Sequence, residues 1–265
     1  MATRHRIESS STSASLNTNW GGTTPVSGDT AVIAYDCTLS TDLNMNAVDL
    51  ASLIVANGVR MSAGDTSGNA WQISVDGAFQ YFGAGSVVRM SGSLDQVEWN
   101  PSANTQLIVT GGDVTLVIVA GGVVEIGETC DWDAAGELVV LGGSVTVKAK
   151  AADVIPTIRV EGGVAIIRRD FTNAYVSGGR LEFDAPGVTG GDVHTGGGTF
   201  KWIDGNLGTI HGRSGELDSS KLRVAATATA IHDYPGLTER TSVGALAPVY
   251  GSRTTYGRGS TKVRG

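Results

Sequence analysis

The chain has 265 residues, of which 38 are glycine and only 6 are proline, and its formal net charge is −7. Because the glycines follow no G-X-Y period, the composition excludes collagen. Cys37 and Cys130 lie far apart with no histidine nearby, which predicts buried thiols rather than a disulfide or a metal site. Five lysines and arginines but one glutamate follow residue 237, so the body is acidic. That distribution is not typical of nucleic-acid-binding proteins, whose basic residues line a face of the fold.

The first 18 residues are polar and rich in serine and threonine, and we expect them to form a flexible arm. They lack the apolar core of a signal peptide, and no later stretch is apolar enough for a membrane span, so we expect a cytoplasmic product without a membrane partner. Pro25 and Gly28 predict a loop before a strand that begins at Thr30. Trp20 is expected to cover the open end of the fold.

The chain then repeats one phrase: a short apolar run, a pair of turn residues and an alternating run. In residues 138–184 the second glycines of successive pairs, Gly143, Gly163 and Gly179, are 20 and 16 residues apart. β-Branched residues at this spacing predict strands, and the glycines permit the positive φ of a sharp corner. We therefore predict an all-β fold, a single-stranded parallel β-helix (β-solenoid), with an antiparallel sandwich of glycine hairpins as the alternative.

Five aromatic side chains crowd into residues 71–99. Inside a coil they would bury apolar area that contributes about 25 cal/mol per Å². Exposed on one face, they would instead form a sugar-binding platform. We favour the core for this set, which consists of Trp71, Phe79, Tyr81, Phe82 and Trp99.

Residues 114–126 form the most apolar segment. Continuous apolar residues indicate burial on both faces of a strand, whereas the outer face of a solenoid strand is open to solvent unless a partner covers it. We therefore expect a subunit interface at Leu116, Val117, Ile118 and Val119, with a strand buried within the chain as the alternative.

Several acids and histidines on neighbouring coils could suggest hydrolysis of polysaccharide. Glycoside hydrolysis needs two carboxyl groups about 5–10 Å apart, and stacked coils about 4.8 Å apart would meet that condition in any acidic solenoid. Asp184, Asp192 and Asp204 lie at strand ends or beside turn residues, which favours turn roles. We predict no enzymatic activity. The residues considered are Asp170, Glu182, Asp184, Asp192, His194, Asp204 and His211.

Sequence motifs for cofactors and metals are missing from the chain. The calcium-binding nonapeptide, HxH, HExxH, the phosphate-binding loop and GxSxG do not occur, so we predict neither a cofactor nor a bound metal. Asp131 and Asp133 flank Trp132 as candidate cation ligands, although we favour a turn there.

The strand pattern stops near Tyr234. We predict an arm over residues 1–18, a β-helix body over 19–237 and a basic, extended tail over 238–265. An ordered tail would bind an acidic partner surface. The tail residues expected to make this contact are Arg240, Tyr250, Arg253, Tyr256 and Arg258.

The phrase N-W-x(n)-P-x-x-G-D-T-x-x-I, from Asn19 to Ile33, precedes T-L-S-T-D, A-S-L-x-V and a ladder of Gly-Gly turns. Together these resemble structural proteins of tailed bacteriophages that carry a parallel β-helix, which are commonly trimers. The resemblance implies a virion protein that is made in the host cytoplasm and decorates the capsid surface as a homotrimer bound to the major capsid protein. A tail-spike or fibre module that binds or cleaves host polysaccharide is the alternative.

Overall fold

A computed structural model describes residues 2–6, 23–39, 48–64, 70–85, 87–223, 226–241, 248–257 and 261–264. Within these ranges every regular element is a β-strand, and each strand pairing whose register is resolved is parallel. The chain repeatedly returns to lie over its previous coil, so the predicted parallel β-solenoid is confirmed and the antiparallel sandwich is excluded. The chain divides into two compact units, Met1–Asp133 and Ala134–Gly265.

Unit 1 is built from two main stacks of short strands. One stack pairs β1, β2, β5, β7, β9 and β11 in that order, and the other pairs β3, β6, β8, β10 and β12. The strands are β1 Thr3–Arg6, β2 Thr30–Ile33, β3 Cys37–Leu39, β4 Val48–Leu50, β5 Ser52–Val55, β6 Met61–Ala63, β7 Trp71–Tyr81, β8 Val87–Ser91, β9 Leu94–Trp99, β10 Gln106–Val109, β11 Gly112–Val119 and β12 Val123–Ile126.

Unit 2 repeats this arrangement, and the boundary between the units falls within β13, Cys130–Val140. One stack pairs β13, β15, β17, β18, β19 and β20, and a second includes β14, β16 and the start of β18. The remaining strands are β14 Ser144–Val147, β15 Val154–Val160, β16 Val164–Ile167, β17 Asp170–Val176, β18 Arg180–Asp218, β19 Thr227–Thr241, β20 Val249–Thr255 and β21 Thr261–Arg264.

The core of each unit lies inside its coils, because buried and more exposed residues alternate along strands such as β5, β8, β14 and β16. In unit 1 the side chains of Trp71, Phe79, Tyr81 and Trp99 are fully buried, which confirms the core prediction for these four. Tyr81 and Trp99 stack with ring centroids 4.2 Å apart. Phe82 follows β7 and is half-buried.

Glycines form the corners, as the repeated phrase predicts. The second glycine of a pair has a positive φ, such as +65° at Gly163. A Cβ atom there would lie 2.4 Å from the carbonyl oxygen of Gly143, one coil away. Glycine at this corner thus permits both the left-handed backbone and the close stacking of coils.

The terminal segments contribute strands of their own. Within the predicted arm, Thr3–Arg6 pair with Thr30–Ile33, whereas residues 7–22, including Trp20, lie outside the described residues. The predicted boundary at residue 237 falls within β19, and both β20 and β21 pair with that strand.

Both cysteines are buried thiols, as predicted. The thiol of Cys130 donates a hydrogen bond to the carbonyl oxygen of Val109 at 3.2 Å.

Candidate functional site

A column of stacked rings runs along the outer face of unit 2. The in-register pairing of parallel strands places Tyr175 beside His194 and His211 beside His232. Ring centroids are 4.8 Å apart for Tyr175 and His194, 4.4 Å for His194 and His211, and 5.0 Å for His211 and His232. We call Tyr175, His194, His211 and His232 the ring column. The first two pairs are nearly parallel, with interplanar angles of 11° and 2°, whereas His211 and His232 are tilted by 35°.

Charged and aromatic groups continue the ring column at both ends. The guanidinium of Arg159 lies 5.2 Å from the centroid of the Tyr175 ring and also pairs with Glu137. At the other end, the hydroxyl of Tyr256 lies 3.4 Å from Nδ1 of His232. With these neighbours at its two ends, the ring column belongs to a longer row of contacts that runs from β15 to the residue that follows β20.

Two imidazoles of the column, those of His194 and His211, have lowered pKa values. Burial lowers the pKa of His194, and the positive charge of Arg213 adds to this effect while Asp192 opposes it. Burial also lowers the pKa of His211, and the neighbouring His194 and His232 lower it further. Protonating one ring would place a charge beside the next ring, so the stack itself resists protonation.

A surface cavity of about 350 Å³ lies beside the column. Tyr175, His194, Thr195, Gly196 and Arg213 contribute to its walls, which contain no carboxylate among the described residues. A Cβ atom added to Gly196 would meet nothing within 4 Å, so this glycine leaves its part of the wall open. The cavity is thus bordered by aromatic surface and by potential cations.

Arg213 lies at an irregularity of the strand pairing. Gly212 pairs with Asp233 but Ser214 pairs with Gly236, so Arg213 lies opposite two residues of β19. The extra residue therefore belongs to β19, and bulges of this kind occur often next to functional sites. Arg213 is exposed.

Two of the acids considered for catalysis are committed to ion pairs. Glu182 pairs with Arg180 at 2.9 Å and with Lys201 at 3.3 Å. Asp184 pairs with Arg223 at 2.9 Å and with Arg168 at 3.6 Å, an ion-pair role where the sequence favours a turn.

The other three acids accept hydrogen bonds from backbone amides. Asp170 accepts one from Thr189, Asp192 one from Thr209, and Asp204 one from Gly205. Asp192 and Asp204 lie within strand β18, whereas the sequence favours turn roles for them. Of the residues considered, the structure brings together only His194 and His211 as a stacked pair.

Asp131 and Asp133 do not form the favoured turn. Both lie in strand β13, exposed on either side of the buried Trp132, because the strand alternation continues through this segment. No cluster of three or more His, Cys, Asp or Glu side chains suited to a metal ion occurs in the described ranges.

The apolar segment proposed as an interface alternates between the two faces of β11. Val117 and Val119 are fully buried inside the coil. Leu116 and Ile118 are half-buried and point outward. Only the latter two are therefore placed to contact a partner.

The predicted tail residues divide between contacts within the chain and the surface. Arg253 pairs with the buried carboxylates of Asp233 and Glu239, and burial raises the pKa of Tyr250. Arg240 is exposed and lies 3.6 Å from Glu216. Tyr256 is 41% exposed, and Arg258 lies outside the described residues.

Sequence reasoning identified His194 and His211 but not the ring column. Tyr175 and His232 occupy the equivalent outward position one coil before and one coil after them, so a coil-by-coil alignment would have found all four.

Comparison of the chain with protein-family models, with curated proteins and with solved structures found no match. No helix that could cross a membrane occurs in the part of the chain that the structure describes.

Proposed function

We propose that the chain is a non-enzymatic structural protein of a tailed-bacteriophage particle, which binds and stabilises the capsid surface as a homotrimer. The observation that carries this proposal is the parallel β-solenoid, which agrees with the fold implied by the resemblance of the repeated phrase and the N-terminal motif. The proposed partner is the major capsid protein.

The environment of the acids supports a structural role over hydrolysis. A glycosidase needs one carboxyl group that holds a proton and one that is ionised. The carboxyl groups of Glu182 and Asp184 each lie within ion-pair distance of two cationic side chains of the chain itself. Both acids are therefore engaged in contacts that hold neighbouring coils together.

The proposed mechanism is mass action. A protein that binds only the assembled shell stabilises it, and a trimer bridging several shell subunits gains effective concentration from its multiple contacts. Tyr256 and Arg240 are the described tail residues placed for attachment, because both are exposed. The outward Leu116 and Ile118 are the proposed contacts between subunits.

Copy number in particles tests the proposed function. We would purify particles from a culture that encodes the chain and quantify it by mass spectrometry against the main shell protein. Copies comparable to the shell protein are expected. A handful of copies would indicate the tail-spike or fibre alternative, and absence from particles would contradict both.

The oligomeric state is tested separately by analytical ultracentrifugation. A Leu116→Asp, Ile118→Asp double variant is expected to sediment as a monomer while the wild type sediments as a trimer, because buried charge is costly in an interface. Leu141→Asp is the matched control, since Leu141 is 47% exposed in unit 2. A double variant that remains trimeric would exclude this surface as the interface.

A further inference from the structure

We propose that the cavity beside the ring column binds a small organic carboxylate with a ring-sized apolar body. The inference is independent of the proposed function, because it rests on the side chains of unit 2 alone. It assigns Arg213 and His194 to the carboxylate, and Tyr175 to the apolar body.

Size and shape favour a small molecule. The cavity of about 350 Å³ falls at the lower end of the range typical for ligand sites, roughly 300–1,000 Å³. The open wall at Gly196 leaves room for a ligand to enter from the surface. Tyr175, which is 37% exposed, offers the edge of its ring to a ligand, because Arg159 and His194 lie over its faces.

The side chains that line the cavity favour an anion as the ligand. The protein as a whole is acidic, yet the described walls of this cavity contain Arg213 and His194 and no carboxylate. Arg213 forms no ion pair with the described residues, and its guanidinium can therefore donate to a carboxylate in the bidentate geometry that arginine favours. Arg213 borders the cavity at the point where it faces the bulge of β19.

The histidines make the binding depend on pH. The groups that face His194 are Asp192, Arg213 and the stacked rings of Tyr175 and His211. A bound carboxylate adds a negative charge to this set and favours protonated His194. By linkage, binding should then tighten as the pH falls.

The test uses benzoate as the probe and isothermal titration calorimetry on the full chain at pH 8 and pH 5.5. We expect a Kd on the order of 1 mM at the lower pH and weaker binding at the higher pH. Benzyl alcohol, the uncharged match, and inorganic phosphate, which lacks an apolar body, should each bind at least about tenfold more weakly.

Two variants test the roles proposed for Arg213 and His194. Arg213→Gln should weaken benzoate binding about tenfold, whereas Arg60→Gln, an exposed arginine of unit 1, should leave it unchanged. His194→Gln should abolish the pH dependence. Circular dichroism would verify that each variant is folded.

Several results would overturn the proposal. These are no benzoate binding at either pH, equal binding by Arg213→Gln and Arg60→Gln, or equal affinity for benzyl alcohol or phosphate. Since the titrations need no phage particle, their failure would leave the copy-number result unaffected.

Discussion

The two units differ in where their largest set of ring contacts lies. It is inside the coil in unit 1 and on the outer face of the coil in unit 2. In unit 1 the ring contacts among described residues join Phe79, Tyr81 and Trp99, all fully buried. Unit 2 also has an interior pair, Phe171 and Phe183, but its longest stack is the ring column outside. Parallel, in-register coils therefore align rings on either face, and the strand alternation decides which face.

The chemical type of the rings differs between the inside and the outer face of the coil. Interior rings are large and apolar, and they stabilise the coil by burial. The outer stack consists of imidazoles and a phenol, whose polar edges remain in contact with water. A solenoid can thus use one geometric device, the stacking of equivalent positions, for stability in one place and for binding in another.

Removing an interior ring should have the largest effect. Trp99→Ala is expected to reduce the free energy of unfolding by about 3–5 kcal/mol, because it leaves a cavity beside Tyr81. Phe82→Ala, at the half-buried residue that follows β7, should cost about 1 kcal/mol or less. Urea unfolding measures both, and equal losses would contradict the conclusion that the interior rings stabilise unit 1 by burial.

A glycine corner next to the same cluster should have the next largest effect. Gly122 has a φ of +64°, and a Cβ atom there would lie 2.6 Å from the carbonyl oxygen of Thr105 and 3.0 Å from Nε1 of Trp99. Gly122→Ala is therefore expected to cost roughly 2 kcal/mol in urea unfolding.

The neighbouring glycine provides the matched control. A Cβ atom on Gly121 would meet its nearest neighbour at 3.8 Å, and its φ is not positive in the range that disfavours other residues. Gly121→Ala should therefore change stability by less than about 0.5 kcal/mol. If both alanine variants lose the same stability, the close stacking at this corner is not the cause.

Acidification should have the smallest effect, confined to the outer stack. The pKa values of His194 and His211 are lowered in the folded protein, so the unfolded chain binds protons first as the pH falls. Their contribution to stability is complete above about pH 6.5 and is lost as the pH drops towards their folded pKa values.

Urea unfolding at pH 7.5 and pH 5.5 measures this loss. The wild type should lose more stability between the two values than a His194→Gln, His211→Gln variant does, because glutamine does not titrate. A variant with the same pH dependence as the wild type would show that other groups cause it.

The sequence predicts the coil better than it predicts the surface. The glycine pairs that end at Gly143, Gly163 and Gly179 predict where the chain turns between strands, because few other residues adopt a positive φ. The strand period also identifies inward rings such as Tyr81. Burial of this kind depends on local pattern, which a single sequence contains.

The ring column and its cavity depend on a different kind of information. Coils here differ in length, so the alignment of Tyr175 with His194 and of His211 with His232 follows from the registers of two strand pairs rather than from a fixed spacing. The bulge at Arg213 is likewise a property of two strands together. The apolar run around Val117 poses a related difficulty. Its residues are all apolar, so the sequence does not show that they alternate between the inner and the outer face of the strand.

The stacked glycine corners also constrain how such a chain can change in length. Gly163, Gly179, Gly198 and Gly215 each pack a bare Cα against glycine backbone in the coil beside it, at distances that leave no room for a side chain. Excision of residues 164–179 would join Gly163 to Arg180 and keep corner over corner, whereas excision of one residue fewer would leave an extra residue at the corner where the two ends join. We therefore expect unit 2 to tolerate inherited insertions and deletions that add or remove a whole coil, so that its length changes in steps of one coil.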